Sequence, residues 1–118
     1  MGVVFLSAEV ASPEGKGKKL DLLIDSGTKY SLLPEEIWKS IGLEEQKKRI
    51  FNLADGTRMT FSVSRCKFKY GGMEQLSPVI MGGKGIPPVV GTVTLESMGL
   101  VLNPYTRELK KIRRTVLN

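Results

Sequence analysis

Histidine is missing from the 118-residue chain altogether, and cysteine occurs once, at Cys66. Without histidine there is no His-dependent catalytic triad and no imidazole base, and the usual zinc ligand is gone. A lone cysteine excludes an internal disulfide and any cysteine-based metal site. Long apolar runs are lacking too: V-V-F-L at 3–6 and L-L-I at 22–24 fall far short of the roughly 18 residues that span a bilayer. Met1 to Ser12 has neither the basic start nor the apolar core of a secretory signal, and Leu6 stands where N-myristoylation needs Ser or Thr. The expectation is a cytoplasmic protein with no membrane segment, in which any hydrolytic proton transfer falls to carboxylates or lysines.

What is present reads as a globular domain. Hydrophobic residues make up 41% and charged residues 25% of the chain, and 118 residues suit one domain, 1–118, with a modest core. A formal charge of +6 and a pI near 9.6 invite a nucleic-acid reading. The cations are dispersed, however. In R-C-K-F-K-Y at 65–70 they alternate with Cys66, Phe68 and Tyr70, as on a half-buried strand with a wet face, so no nucleic-acid partner is expected.

Short apolar runs punctuated by glycine and proline predict an all-β domain. Gly2 to Val10 and Lys19 to Ile24 read as a hairpin turned by P-E-G-K-G at 13–17. Pro34-Glu35-Glu36 reads as the first turn of a short helix, with Leu33, Ile37 and Ile41 on one face and Gly42 as its stop. Ile50 to Leu53 and Met59 to Val63 flank Ala54-Asp55-Gly56-Thr57, where Asp-Gly marks a hairpin. The apolar phase is odd-numbered at Met59, Phe61 and Val63 but even-numbered at Cys66, Phe68 and Tyr70, which predicts a bulge or bend near Ser64-Arg65. After a turn at Gly71-Gly72, a strand is expected over Leu76 to Met81. The loop G-G-K-G at 82–85 lacks the spacing of a phosphate-binding loop. Val89-Val90 then reads as a buried strand, Val93 to Met98 as a short helix closed by Gly99, and Leu100 to Leu102 and Leu109 to Ile112 as final strands.

The stretch L-L-I-D-S-G-T-K-Y-S-L-L-P at 22–34 places one carboxylate, Asp25, at the end of an apolar strand. Alone, D-S-G-T is an ordinary turn sequence. It is followed in order by the Asp-Gly hairpin and by V-V-G-T-V-T-L-E-S-M-G-L-V-L-N-P at 89–104, an apolar-apolar-Gly strand running into a helix. Together these resemble the retropepsin-like aspartic proteases, the small proteases of retroviruses and their bacterial and archaeal relatives, over nearly the whole chain. The first stretch fits that family's apolar-apolar-x-Asp-Ser/Thr-Gly-Ala/Ser/Thr pattern.

The resemblance implies a small, closed-barrel-like all-β fold with one or two short helices, and an endopeptidase that needs neither cofactor nor metal. Only one Asp-Ser/Thr-Gly is present, so Asp25 would meet its counterpart across a two-fold axis in a homodimer acting on a peptide or protein substrate. Ser26 would bridge the subunits, Gly27 would admit backbone and substrate, and Thr28 would lie beside the bound peptide. Leu53, Ala54, Asp55, Gly56 and Thr57 would form the flap over the cleft, while Val89, Val90 and Gly91 would support the active loop and line a pocket. Trp38, Tyr30 and Cys66 read as packing residues. Thr92 stands where many viral members carry an arginine tying helix to active loop. Two other readings compete: a catalytically silent, dimeric peptide-binding scaffold of the same fold, and a basic nucleic-acid-associated protein.

Overall fold

The computed structural model describes residues 4–103 and 105–111. β1 (Phe5–Ala11) turns Leu6, Ala8 and Val10 inward and Phe5 and Ser7 outward, the period-2 alternation of a strand with one wet face. It pairs antiparallel with β2 (Gly17–Ile24), from Phe5 opposite Leu23 to Ala11 opposite Gly17. Residues 25–30 then lead to β3 (Ser31–Leu33) and α1 (Glu35–Ser40). Pro34 precedes the helix in extended conformation, ψ 161°, instead of occupying its first turn. Leu33 thus closes the strand and shares the core, not a helical face, with Ile41. Gly42, at φ +72°, stops the helix as expected.

β4 (Lys47–Asn52), β5 (Arg58–Tyr70) and β6 (Met73–Met81) form an antiparallel meander. Of the predicted bulge or bend, the bulge is not there: β5 keeps one register against β6 from Ser62–Met81 to Tyr70–Met73. The phase change has another cause. On its opposite edge β5 pairs with β4 up to Val63 and with β1 from Lys67 onward, so both Val63 and Ser64 are buried where the strand exchanges neighbours. β6 starts at Met73, earlier than the sequence implies, because Gly71 and Gly72, both at positive φ, make a tight hairpin turn.

β7 (Val89–Val90) lies between β2 and β3, parallel to the first and antiparallel to the second. α2 (Thr92–Ser97) follows, then β8 (Leu100–Leu102) and β9 (Leu109–Lys111), which pair with each other. Gly2 and Ile112, the outer ends of the first and last expected strands, lie outside the described residues. Hydrogen bonding runs β1-β2-β7-β3-β6-β5 and returns to β1, with β4 outside this circuit. Leu6, Val10, Leu22, Leu33, Phe68, Val79, Val90 and Leu100 fill its interior. Each such burial contributes about 1.5–3 kcal/mol. Trp38 and Cys66 are packing residues, as read: Trp38 Nε1 donates to the Gly82 carbonyl at 2.8 Å, and Cys66 is fully buried. Among the described residues no helix is long and apolar enough to cross a membrane.

Candidate active site

The site grows out of the topology. Since β7 is inserted between β2 and β3, the loop 25–30 must arch over its end. Its backbone fastens there: Asp25 N–H donates to the Val90 carbonyl at 3.4 Å, Thr92 N–H to the Thr28 carbonyl at 2.9 Å, and Val93 N–H to the Lys29 carbonyl at 3.0 Å. Gly91 is required by this crossing. A Cβ there would stand 2.5 Å from the Lys29 carbonyl oxygen, closer than real Cβ atoms come. Gly27, by contrast, has room inside its own chain, where a Cβ would meet Asp25 Oδ1 at an ordinary 3.4 Å.

Asp25 is exposed, yet its carboxylate is held. Gly27 N–H donates to Oδ1 at 2.9 Å and the Thr28 hydroxyl donates to Oδ2 at 2.7 Å, while Thr28 N–H closes the turn on the Asp25 carbonyl at 3.2 Å. Ser26 is exposed beside a recess of about 90 Å³ that it shares with Thr92, Leu95, Glu96, Leu100, Val101 and Leu102. Val90 is fully buried beneath the loop, so of the two valines only the half-buried Val89 has surface to offer a ligand.

Beneath the loop lies a cluster that sequence reasoning missed. The buried Ser31, Ser77 and Thr94 join through hydroxyls, Ser31 to Thr94 at 2.5 Å and Ser77 to Thr94 at 2.7 Å, and Gly91 N–H donates to Ser31 Oγ at 3.0 Å. One helix and two strands are thereby tied to the exit of β7. The available signal was polar residues at inward positions of otherwise apolar segments. With Thr92 where many viral members carry arginine, this network and the backbone bonds to Thr28 and Lys29 join α2 to the loop.

The hairpin of β4 and β5 touches the loop through Tyr30. At its tip Leu53 N–H donates to the Thr57 carbonyl at 2.7 Å, and both the Thr57 hydroxyl, at 2.7 Å, and its N–H, at 3.0 Å, donate to Asp55 Oδ1. These bonds, the hydroxyl's first, pull the Asp55 carboxyl below its ordinary value. Gly56 takes a positive φ of 88°. Ala54 to Thr57 are exposed and Leu53 is half-buried. Tyr30, read as a packing residue, meets Phe51 edge-on at 5.5 Å and accepts a 3.2 Å hydrogen bond from Arg49. Among the described residues no cluster of acids, histidines and cysteines is suited to a metal ion. A concavity of about 770 Å³ between the β1–β2 hairpin and the Gly71-Gly72 turn lies elsewhere. Its nearest lining residue along β2, Asp21, lies four positions before Asp25, about 13 Å at strand spacing.

The aspartyl protease family model matches residues 8–102, and the chain belongs to that family. A similar solved structure is the EIAV protease complexed with the inhibitor HBY-793, at 13% identity and a TM-score of 0.63, covering 83% of this chain and 89% of that one. The likeness establishes a retropepsin-like fold. Among curated proteins, none matches the sequence.

Proposed function

We propose that the chain is an aspartic endopeptidase whose site is completed by a second copy. The observation that carries this reading is the Asp25 carboxylate, exposed and oriented by Gly27 and Thr28 on a loop anchored where β2, β7 and β3 meet. The chain has three aspartates, and the other two are engaged elsewhere, Asp21 by Ser7 and Asp55 by Thr57. A second Asp25 across a two-fold axis supplies the missing acid. Two carboxylates at contact share one proton, because both cannot ionise. The charged one takes a proton from water as that water attacks the peptide carbonyl, and the protonated one gives its proton to the carbonyl oxygen. Ser26 bridges the copies in this reading, and the free space at Gly27 serves the partner or the substrate. The flap, Leu53 to Thr57, closes over the peptide and limits water. A single domain, 1–118, acting in the cytoplasm completes the reading.

Digestion of an unbiased peptide library from acidic to neutral pH, wild type against Asp25→Asn, tests it. We expect at least about a hundredfold loss in the variant with an unchanged melting temperature, and a specific activity that rises with protein concentration. Equal cleavage by the two proteins sinks the mechanism. Peptide binding without cleavage by either would point to the scaffold instead.

A further inference from the structure

The flap hairpin has two unlike faces. Cross-strand partners share a face, so Lys47, Arg49 and Phe51 lie with Val63, Phe61 and Met59, while Lys48 and Ile50 lie with Ser62 and Thr60 on the other. Contacts orient the first face toward the loop that carries Asp25: Phe51 packs on Tyr30, and the Arg49 guanidinium stands 5.5 Å from the Tyr30 ring and 5.7 Å from the Phe51 ring. The outer face is electrically settled, because Glu45 takes both Lys48, at 3.1 Å, and the Ser62 hydroxyl. The inner face is not.

Arg49 is exposed, and among the described residues it has no carboxylate partner. A guanidinium presents five N–H donors in a planar fork suited to a carboxylate. One bond goes to the Tyr30 hydroxyl, and the two rings flank the guanidinium. Holding the side chain beforehand removes much of the ordering cost that binding would otherwise carry. Lys47, exposed on the same face, adds positive potential. The nearest flap carboxylate, Asp55, is engaged by Thr57 at the tip.

We infer that Arg49 determines specificity, selecting peptides that carry a carboxylate side chain beneath the flap. This deepens the protease reading and rests on it. Arg49 is four residues back along β4 from Leu53, about 13 Å, so the acid sits away from the bond that is cut. With two copies forming the cleft, an arginine stands on each side, and acid preference is expected on both sides of the cut.

The test uses positional-scanning peptide pools with one position fixed as Glu or Gln and the others mixed. Wild type should cleave the Glu pool about tenfold faster or more at one position on each side. Arg49→Gln should erase the preference, and Arg49→Glu should turn it toward Lys. A uniform loss by Arg49→Gln on Glu and Gln pools alike would mean that Arg49 merely tethers the flap, and would overturn the proposal. So would equal cleavage of both pools by wild type, which leaves the protease reading intact. The same pools are titrated onto Asp25→Asn by fluorescence anisotropy. If nothing is cut, the protease reading fails, and this arm alone decides: tighter Glu binding that disappears in Asp25→Asn/Arg49→Gln upholds the inference, and equal binding overturns it.

Discussion

In the proposed reading the Asp25 loop is the floor of a cleft and the β4–β5 hairpin its roof, and the two are built on opposite plans. In the floor, residues 25–31 and 89–94 are fastened by main-chain bonds, by a glycine crossing without room for a methyl group and by buried hydroxyls. In the roof, Ala54 to Thr60 are exposed, and the hairpin reaches the floor through Arg49, Tyr30 and Phe51. Chemistry that needs two carboxylates placed within fractions of an ångström belongs on the first kind of structure. Admitting and releasing a peptide belongs on the second, because regions with few buried contacts open at low free-energy cost.

Paired glycine substitutions challenge this contrast most strongly. Gly91→Ala pushes a methyl against the Lys29 carbonyl, so the loop must move; we expect a loss of about 3 kcal/mol or more in chemical denaturation. Gly56→Ala has open space and only the strain of φ +88°, and should cost about 1 kcal/mol. Equal costs would mean that floor and roof are held alike.

Thr94→Val probes the floor without changing its volume. It removes the hydroxyl shared by Ser31 and Ser77, leaving buried polar groups short of a partner at a cost of about 1–3 kcal/mol, measured by urea denaturation. Thr94→Ser keeps the hydroxyl and should preserve more stability than Thr94→Val.

The floor's outline was legible in the sequence, while its fastening was not. The run from Leu22 to Pro34 and the V-V-G stretch announced their strands because hydrophobic runs and Gly-Pro punctuation are local signals. The hydroxyl network joins Ser31, Ser77 and Thr94 across distant segments, and no local pattern links them. The supposed bulge at Ser64-Arg65 failed for the same reason: the phase change records an exchange of neighbours, β4 for β1, which only topology reveals. In the roof, the Asp-Gly turn was legible, whereas the orientation of Arg49 depends on Tyr30 of the loop meeting Phe51 of the hairpin.

Acid and base treat the two plans differently. In the barrel, burial pushes the Cys66 thiol from an ordinary 9.0 up to about 12. The unfolded thiol ionises first, so Cys66 contributes stability below about pH 9 that is lost as pH rises toward about 12. Native protein should therefore resist iodoacetamide at neutral pH and react on unfolding, as followed by mass spectrometry. Ready labelling of the folded chain would show that the barrel opens locally.

At the tip of the β4–β5 hairpin the smallest effect is expected, and its sign is reversed. Hydrogen bonds from Thr57 hold the Asp55 carboxyl below its ordinary 3.8, so their support for the turn is complete above that value and is lost as pH falls through the lower folded one. Because Asp55 is exposed, protonation should loosen the tip without melting the barrel. Thr57→Val removes the hydroxyl and keeps the N–H, so the Asp55 titration, read from its carboxyl carbon shift by NMR, should move part of the way back up. An unmoved titration would mean that the Thr57 hydroxyl does not organise the tip, and that the roof is looser than its hydrogen bonds imply.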